Sequence, residues 1–264
     1  MLNFTSHKKS LRLKILELYY TSNAGHIGCS LSCIDILIAI FLKLKNKNDV
    51  FILSKGHAAA ALYSCLNEIG EISTKELDTY YKDGTKLPAH PAPNTFKEIP
   101  FATGSLGHGF PLAAGIAKAK KIKRENDFVF VLMSDGDTNE GTTWETAHFS
   151  SKNELNNLIV IIDKNKIQGF NKSVDVIGDT AQKEKWELMG FEVVEIIDGH
   201  DISEIVNSVE LLKSNDTIKP KLLIANTVKG KGVSYMENTI DWHYWPMNKE
   251  QYTQAVKEIN EKYA

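Results

Sequence analysis

Two short apolar runs, each broken off by oxygen-bearing side chains, limit the folds open to this chain more than any other feature. Phe128–Met133 stops at Ser-Asp-Gly-Asp (134–137), and Leu158–Ile162 stops at Asp-Lys-Asn-Lys-Ile (163–167), with a helix-compatible stretch between them. Runs this short and this apolar suit strands buried on both faces, so the expectation is an α/β fold: a parallel sheet with helices on both faces. Both strands would then deliver ligands at the carboxyl edge, where open α/β sheets bind them. Asp135 offers a carboxylate, Asn165 a side-chain carbonyl and Ile167 a backbone carbonyl. A hard cation such as Mg²⁺ takes such a set and completes its shell with water and phosphate, which reads as a metal–diphosphate clamp. An EF-hand starts well with Asp135, Asp137 and Asn139. It fails at the sixth position, where Glu140 replaces the turn glycine, and at the twelfth, where Thr146 replaces glutamate. The plainer alternative is an ordinary βα loop with a capping aspartate.

At 264 residues the chain can bury one large α/β core, and no repeat, low-complexity tract or linker divides it, so residues 1–264 read as one domain. No apolar run reads as a membrane span, and the N-terminus lacks a signal-peptide core, so no membrane role and a cytoplasmic location are expected. Cys29, Cys33 and Cys65 have no C-x-x-C spacing, which suggests neither disulfides nor a zinc knuckle. Only Arg12 and Arg124 among 31 basic residues are arginine, so bidentate forks for substrate phosphates are scarce. The lysines are interspersed with acids and form no basic stripe, which argues against nucleic acid as a partner.

Periodicity predicts helices around Leu11–Tyr19, over 31–44, from about 56 to 70, and over 107–123, 140–153, 202–213 and 248–262. Strands are predicted at 50–53, 128–133, 158–162, 191–197 and 221–228. Residues 82–105 hold four of the seven prolines and read as a long functional loop.

Four histidines stand at turns beside glycine, proline or tryptophan: His26, His57, His90 and His243. Imidazole donates and accepts hydrogen bonds near neutrality, which suits hydroxyl-rich substrates and proton transfer. Singly each reads as a structural histidine; the group carries the argument. His7, His108, His148 and His200 have weaker claims. The turn at 103–109, T-G-S-L-G-H-G, leads into a helix whose free amides could meet a diphosphate. The turn at 229–232, K-G-K-G, could set an ammonium beside it.

These segments together resemble the thiamine-diphosphate-binding, amino-terminal part of transketolases. The matching stretches are GHIG (25–28), SKGHAAAALY (54–63), HPAP (90–93), TGSLGHG (103–109), DG…EG…WE (135–145), NLIVIIDKNKI (157–167), DGHD (198–201), VKGKG (228–232) and DWH (241–243). Departures are Ser134 for the first glycine of the metal motif, Ala89 before His90, and His108 where glutamine is common. The resemblance implies thiamine diphosphate and Mg²⁺ as cofactors, with Ca²⁺ or Mn²⁺ as substitutes, and Asp135, Asn165 and the Ile167 carbonyl as metal ligands. It implies His57, Gly104, Leu106, Gly136 and Lys229 along the cofactor, and His26, His90 and His243 facing sugar hydroxyls. Glu140 would sit at a subunit interface, in an acidic network linking two cofactors.

The same resemblance implies that the chain stops where a pyrimidine-binding domain would begin. The glutamate that activates the aminopyrimidine belongs to that domain, so a partner chain is expected to carry it in an α₂β₂ assembly. The expected reaction moves a two-carbon ketol unit from a ketose (phosphate) to an aldose acceptor. Two alternatives stay open: the α subunit of a 2-oxo-acid dehydrogenase or decarboxylase, and a non-catalytic regulatory homologue.

Overall fold

The computed structural model describes residues 4–264. Five parallel strands, β1 (Val50–Leu53), β2 (Val129–Ser134), β3 (Leu158–Lys164), β4 (Glu192–Ile196) and β5 (Lys221–Asn226), lie in the order β1-β2-β3-β5-β4. The two apolar runs are thus neighbours, with Val131 opposite Val160 and Ser134 opposite Asp163. Successive residues of a strand face opposite sides, and both sides are covered here. Phe130, Leu132, Ile159 and Ile161 enter one core, which holds α1 (Phe4–Ser22), α2 (Ile27–Ala39), α3 (Ala59–Glu68) and, further along the chain, a helix at Ile202–Ser214. Val129, Val131, Val160 and Ile162 enter a second core with Phe110, Ala147 and Trp186.

The remaining helices are α4 (Thr74–Leu77), α5 (Gly109–Lys123), α6 (Gly141–Lys152), α7 (Ser173–Ile177), α8 (Lys183–Leu188), α9 (Ile202–Ser214) and α10 (Lys249–Lys262). α4, α7 and α8 are four to six residues long, too short for a helical period to show in sequence. Residues 82–105 contain no helix or strand.

One expectation needs correction. α2 and the π-helical turn that extends it, Ile40–Leu44, make an 18-residue segment long and apolar enough by composition to cross a membrane. A helix apolar all round suits either lipid or the middle of a protein. This one lies against α1, α3 and α9, with 83% of the segment buried.

Candidate active site

The site forms where β2 and β3 end, because both strands stop at residues that cannot continue an apolar run. Asp135 and Gly136 follow β2; Asn165, Ile167 and Gln168 follow β3. The loop at 82–105 crosses the same edge and brings His90 and Gly104, while His26 arrives just ahead of α2 in a left-handed conformation, φ 76°. These residues line one cavity of about 250 Å³, together with His57, Leu106, Cys29, His243 and Tyr244. The chain at Gly104 must run close to the His90 ring: a Cβ there would stand 2.9 Å from its Cδ2.

Asp135 is 4% exposed. Its Oδ2 accepts hydrogen bonds from the Lys166 amide (2.6 Å) and the Ser173 hydroxyl (2.9 Å). Burial, with the nearby Asp163 charge, still raises its carboxyl to about 6. A carboxylate so disfavoured is one that a cation would stabilise. The Asn165 Oδ1 accepts from the Ile167 amide at 3.1 Å, and its Nδ2 donates to Ser32 Oγ at 3.3 Å. Among the described residues no group of three or more His, Cys, Asp or Glu gathers as a metal site. The oxygen set here therefore offers one carboxylate and two neutral carbonyls, leaving positions that phosphate and water fill for Mg²⁺. Gln168 Nε2, at the same edge, is buried with no hydrogen-bond partner, a donor that a bound polar group would satisfy. The residues present fit a metal-bound diphosphate.

The four histidines come together. The His26 ring lies 5.6 Å from His57, 5.8 Å from His90 and 5.0 Å from His243, centroid to centroid. Burial lowers all four: His26 and His57 to about 4, His243 to about 3, and His90 in the same direction. For His26 and His243 the Lys229 charge adds to the effect. All four are neutral near pH 7, where an imidazole whose two nitrogens are both free can donate to and accept from hydroxyl groups.

Two expected site residues stand elsewhere. Lys229 does not line the cavity: it is fully buried, and its ammonium bonds the carbonyls of Ile167 (3.2 Å) and Gln168 (3.3 Å) and Nδ1 of His243 (2.9 Å). It braces the expected metal carbonyl and a histidine from behind. Glu140 is exposed, outside the cavity, where it precedes α6 as its N-cap. In the turn at 103–109 the Gly107 amide is committed to Asp137 Oδ1 at 2.9 Å, so it does not face the cavity. Asp137 also accepts from Ser54 Oγ and from the Ser134 amide and hydroxyl, which takes it out of any calcium loop.

The sequence reading missed the layer beneath. Asp163 pairs with Lys55, both fully buried, and accepts further from Ser32 and Thr227. Ser32 in turn receives the Asn165 amide, so this group fixes the orientation of a candidate metal ligand. Both residues lie inside matching segments, SKGHA and DKN, yet nothing local says that they meet. Cys29 is a further lining residue; burial raises its thiol, but Lys229 and His57 outweigh that and bring it to about 7. His200 is structural: it bonds Asp35 at 2.8 Å and accepts from the Val228 amide at 2.9 Å, and Asp35 takes both arms of Arg12.

Comparison with known proteins places the chain in a family. Residues 6–263 match the family described as transketolase, thiamine diphosphate binding domain. The chain is 37% identical to an apulose-4-phosphate transketolase subunit of Actinobacillus succinogenes, over 96% of this chain and 95% of that one. It is 34% identical to a 6-deoxy-6-sulfo-D-fructose transketolase subunit of a Clostridium species, over 96% and 94%. Among solved structures, the transketolase of Campylobacter jejuni superimposes with a TM-score of 0.88 at 29% identity, covering 98% of this chain and 43% of that one. The chain thus spans about two fifths of the solved transketolase it matches.

Proposed function

This chain belongs to the transketolase family, as a subunit carrying its thiamine-diphosphate-binding domain, and from that premise we propose that it forms the diphosphate, metal and sugar-binding half of a site completed by a second subunit. The carrying observation is that Asp135, Asn165 and Ile167 line the same cavity as Gly104, Leu106, Gly136 and four neutral histidines. Two relatives are named as subunits, and this chain covers 95% and 94% of their lengths, which supports a partner bearing the pyrimidine-binding domain in an α₂β₂ assembly. The four-histidine wall favours ketol transfer over 2-oxo-acid chemistry, since it supplies hydroxyl partners for a polyol.

Asp135, the Asn165 amide oxygen and the Ile167 carbonyl would hold Mg²⁺, and Gly104, Leu106, Gly136 and His57 would border the cofactor. Bound thiamine diphosphate supplies the carbanion and electron sink that ketol transfer needs. The protein's own work is placement and proton handling. His26 and His90, neutral near pH 7, accept hydrogen bonds from substrate hydroxyls or donate to them. His243, whose Nδ1 accepts from Lys229, presents Nε2–H to the cavity as a donor. Lys229 holds His243 by Nδ1, which leaves Nε2 for the cavity. Glu140, exposed ahead of α6, would meet the second subunit.

The test is an assay of the isolated chain with Mg²⁺, thiamine diphosphate and a ketose donor, repeated with the candidate partner added. No turnover alone and ketol transfer after mixing are expected. Full activity from this chain alone would refute the divided site.

A further inference from the structure

Tyr244 follows the last histidine of the site and lines the same cavity. Its position is set from both ends. The His26 amide donates to the His243 carbonyl at 2.9 Å, and the Tyr244 amide donates to Asp241 O at 3.0 Å. Against Gly25 there is no slack: a Cβ at that residue would stand 2.6 Å from the Tyr244 carbonyl oxygen. At the other end the phenol reaches across to the loop after β3, where a Cβ on Gly169 would stand 2.3 Å from its hydroxyl oxygen. The ring lies 4.7 Å from the His243 ring and 6.2 Å from that of His26. Tyr244 therefore spans from the histidines to Gly169 as one side of the cavity, although it is 57% exposed on its outer face.

The cavity enclosed by this wall is about 250 Å³, and no lysine or arginine is among its lining residues. Beyond the part lined by Asp135, Gly136 and Asn165, where the cofactor is proposed to sit, a substrate meets imidazoles and an aromatic edge, and its far end finds no counter-charge among this chain's lining residues. We propose that Tyr244 is a specificity-determining residue that limits the acceptor to a short aldose by walling the cavity between His26, His243 and Gly169. This rests on the ketol-transfer reading. Size selection by a wall is a matter of sterics, where one methylene already shifts preference by about 10–200-fold. A missing phenol ring therefore has ample scope to change the ranking of acceptors.

A competition assay on the enzyme assembled with its partner tests this. Hydroxypyruvate serves as a small fixed donor, which releases carbon dioxide as it gives up its two-carbon unit. Glycolaldehyde and D-ribose compete as acceptors in one tube, so the ratio of four-carbon to seven-carbon ketose reports relative kcat/KM. That ratio does not depend on how much of a variant is folded. Tyr244→Gly and Tyr244→Ala are expected to move it toward the seven-carbon product by about tenfold or more. Tyr244→Phe, which keeps the wall and loses only the hydroxyl, should stay within about twofold of wild type. An unchanged ratio in both truncations overturns the wall while leaving ketol transfer standing; so does an equal shift in Tyr244→Phe, which would assign the effect to the hydroxyl. A wild-type assembly that forms neither ketose overturns the function itself, and this inference with it.

Discussion

At the floor of the cavity, Asp135, Asp163, Lys55 and Lys229 are each 4% exposed or less, and each is held by named hydrogen bonds. At its mouth, Phe170 and Tyr244 are 70% and 57% exposed. Lys55 and Asp163 are ion-paired, and Asp135 and Lys229 are held by hydrogen bonds to neutral groups, so the geometry of the floor is over-determined. The mouth is built from aromatic rings on connecting segments, which can change without disturbing the sheet. The lesson is a division of labour: the floor fixes the cofactor chemistry, and the mouth is where one member of the family can differ from another in substrate.

The largest expected effect falls on the floor. Asp135→Ala removes the one carboxylate from the candidate metal set, and metal-dependent binding of thiamine diphosphate should be lost. The loss should exceed the roughly 10–100-fold typical of changes that only touch a ligand's supports. Titration calorimetry with Mg²⁺ and cofactor checks it; unchanged affinity would show that the metal is held elsewhere.

Next comes the support beneath. Lys55→Met leaves Asp163 buried without its counter-ion, a change that typically costs about 3–5 kcal/mol. The fold should be strongly destabilised in denaturant unfolding, and any folded fraction should bind metal poorly because Asn165 loses its fixed orientation. A stability within about 1 kcal/mol of wild type would show that this pair is replaceable.

The contrast also explains what could be read in advance. Four strands were legible as short runs dominated by apolar residues and β4 as Val193, Val194 and Ile196 among glutamates, and Asp135 and Asn165 were legible because they follow two of the runs. The histidines stood out at turns, away from helical stripes. The Lys55–Asp163 pair was invisible, since 108 residues separate its members and only the β1-β2-β3 order brings their strands' ends side by side. Lys229 was placed along the cofactor because a lysine in a glycine turn suggests a phosphate; its full burial behind Ile167 and His243 is a tertiary fact. The span-length helix was overlooked in the sequence, and only its packing shows that it belongs to the protein core, since composition cannot tell lipid from such a core. Tyr244 carried no signal beyond its neighbour His243.

At the mouth the effect should appear in turnover and not in cofactor affinity. His90→Ala takes away a hydrogen-bonding imidazole at the end of the long loop, and a positioned proton donor or acceptor is worth about 10²–10⁴-fold in rate. Cofactor affinity should change little, because the metal set follows β2 and β3. Steady-state rates together with cofactor titration separate the two; a variant that loses affinity and keeps its turnover would move His90 to the floor.

The smallest effect is one of pH, and it joins the two regions. His26 and His57 are lowered to about 4 and His243 to about 3, burial being the first cause in each. In the unfolded chain these imidazoles take up protons near their ordinary value of about 6.5. Between those limits the unfolded state binds more protons than the folded one, so stability must fall as pH falls. The contribution is intact above about 6.5 and is lost progressively toward 4. Wild-type protein should therefore unfold at lower denaturant concentration at pH 5 than at pH 7.5. His26→Gln should flatten that dependence, by on the order of 1 kcal/mol over the interval, because glutamine keeps a polar group there and cannot be charged. If the wild type and His26→Gln lose stability in parallel from pH 7.5 to 5, His26 titrates alike in the folded and unfolded chain, and burial does not lower it. The wall would then contain an imidazole that takes up a proton near its ordinary value of about 6.5, and the account of a wall held neutral by burial would have to be abandoned.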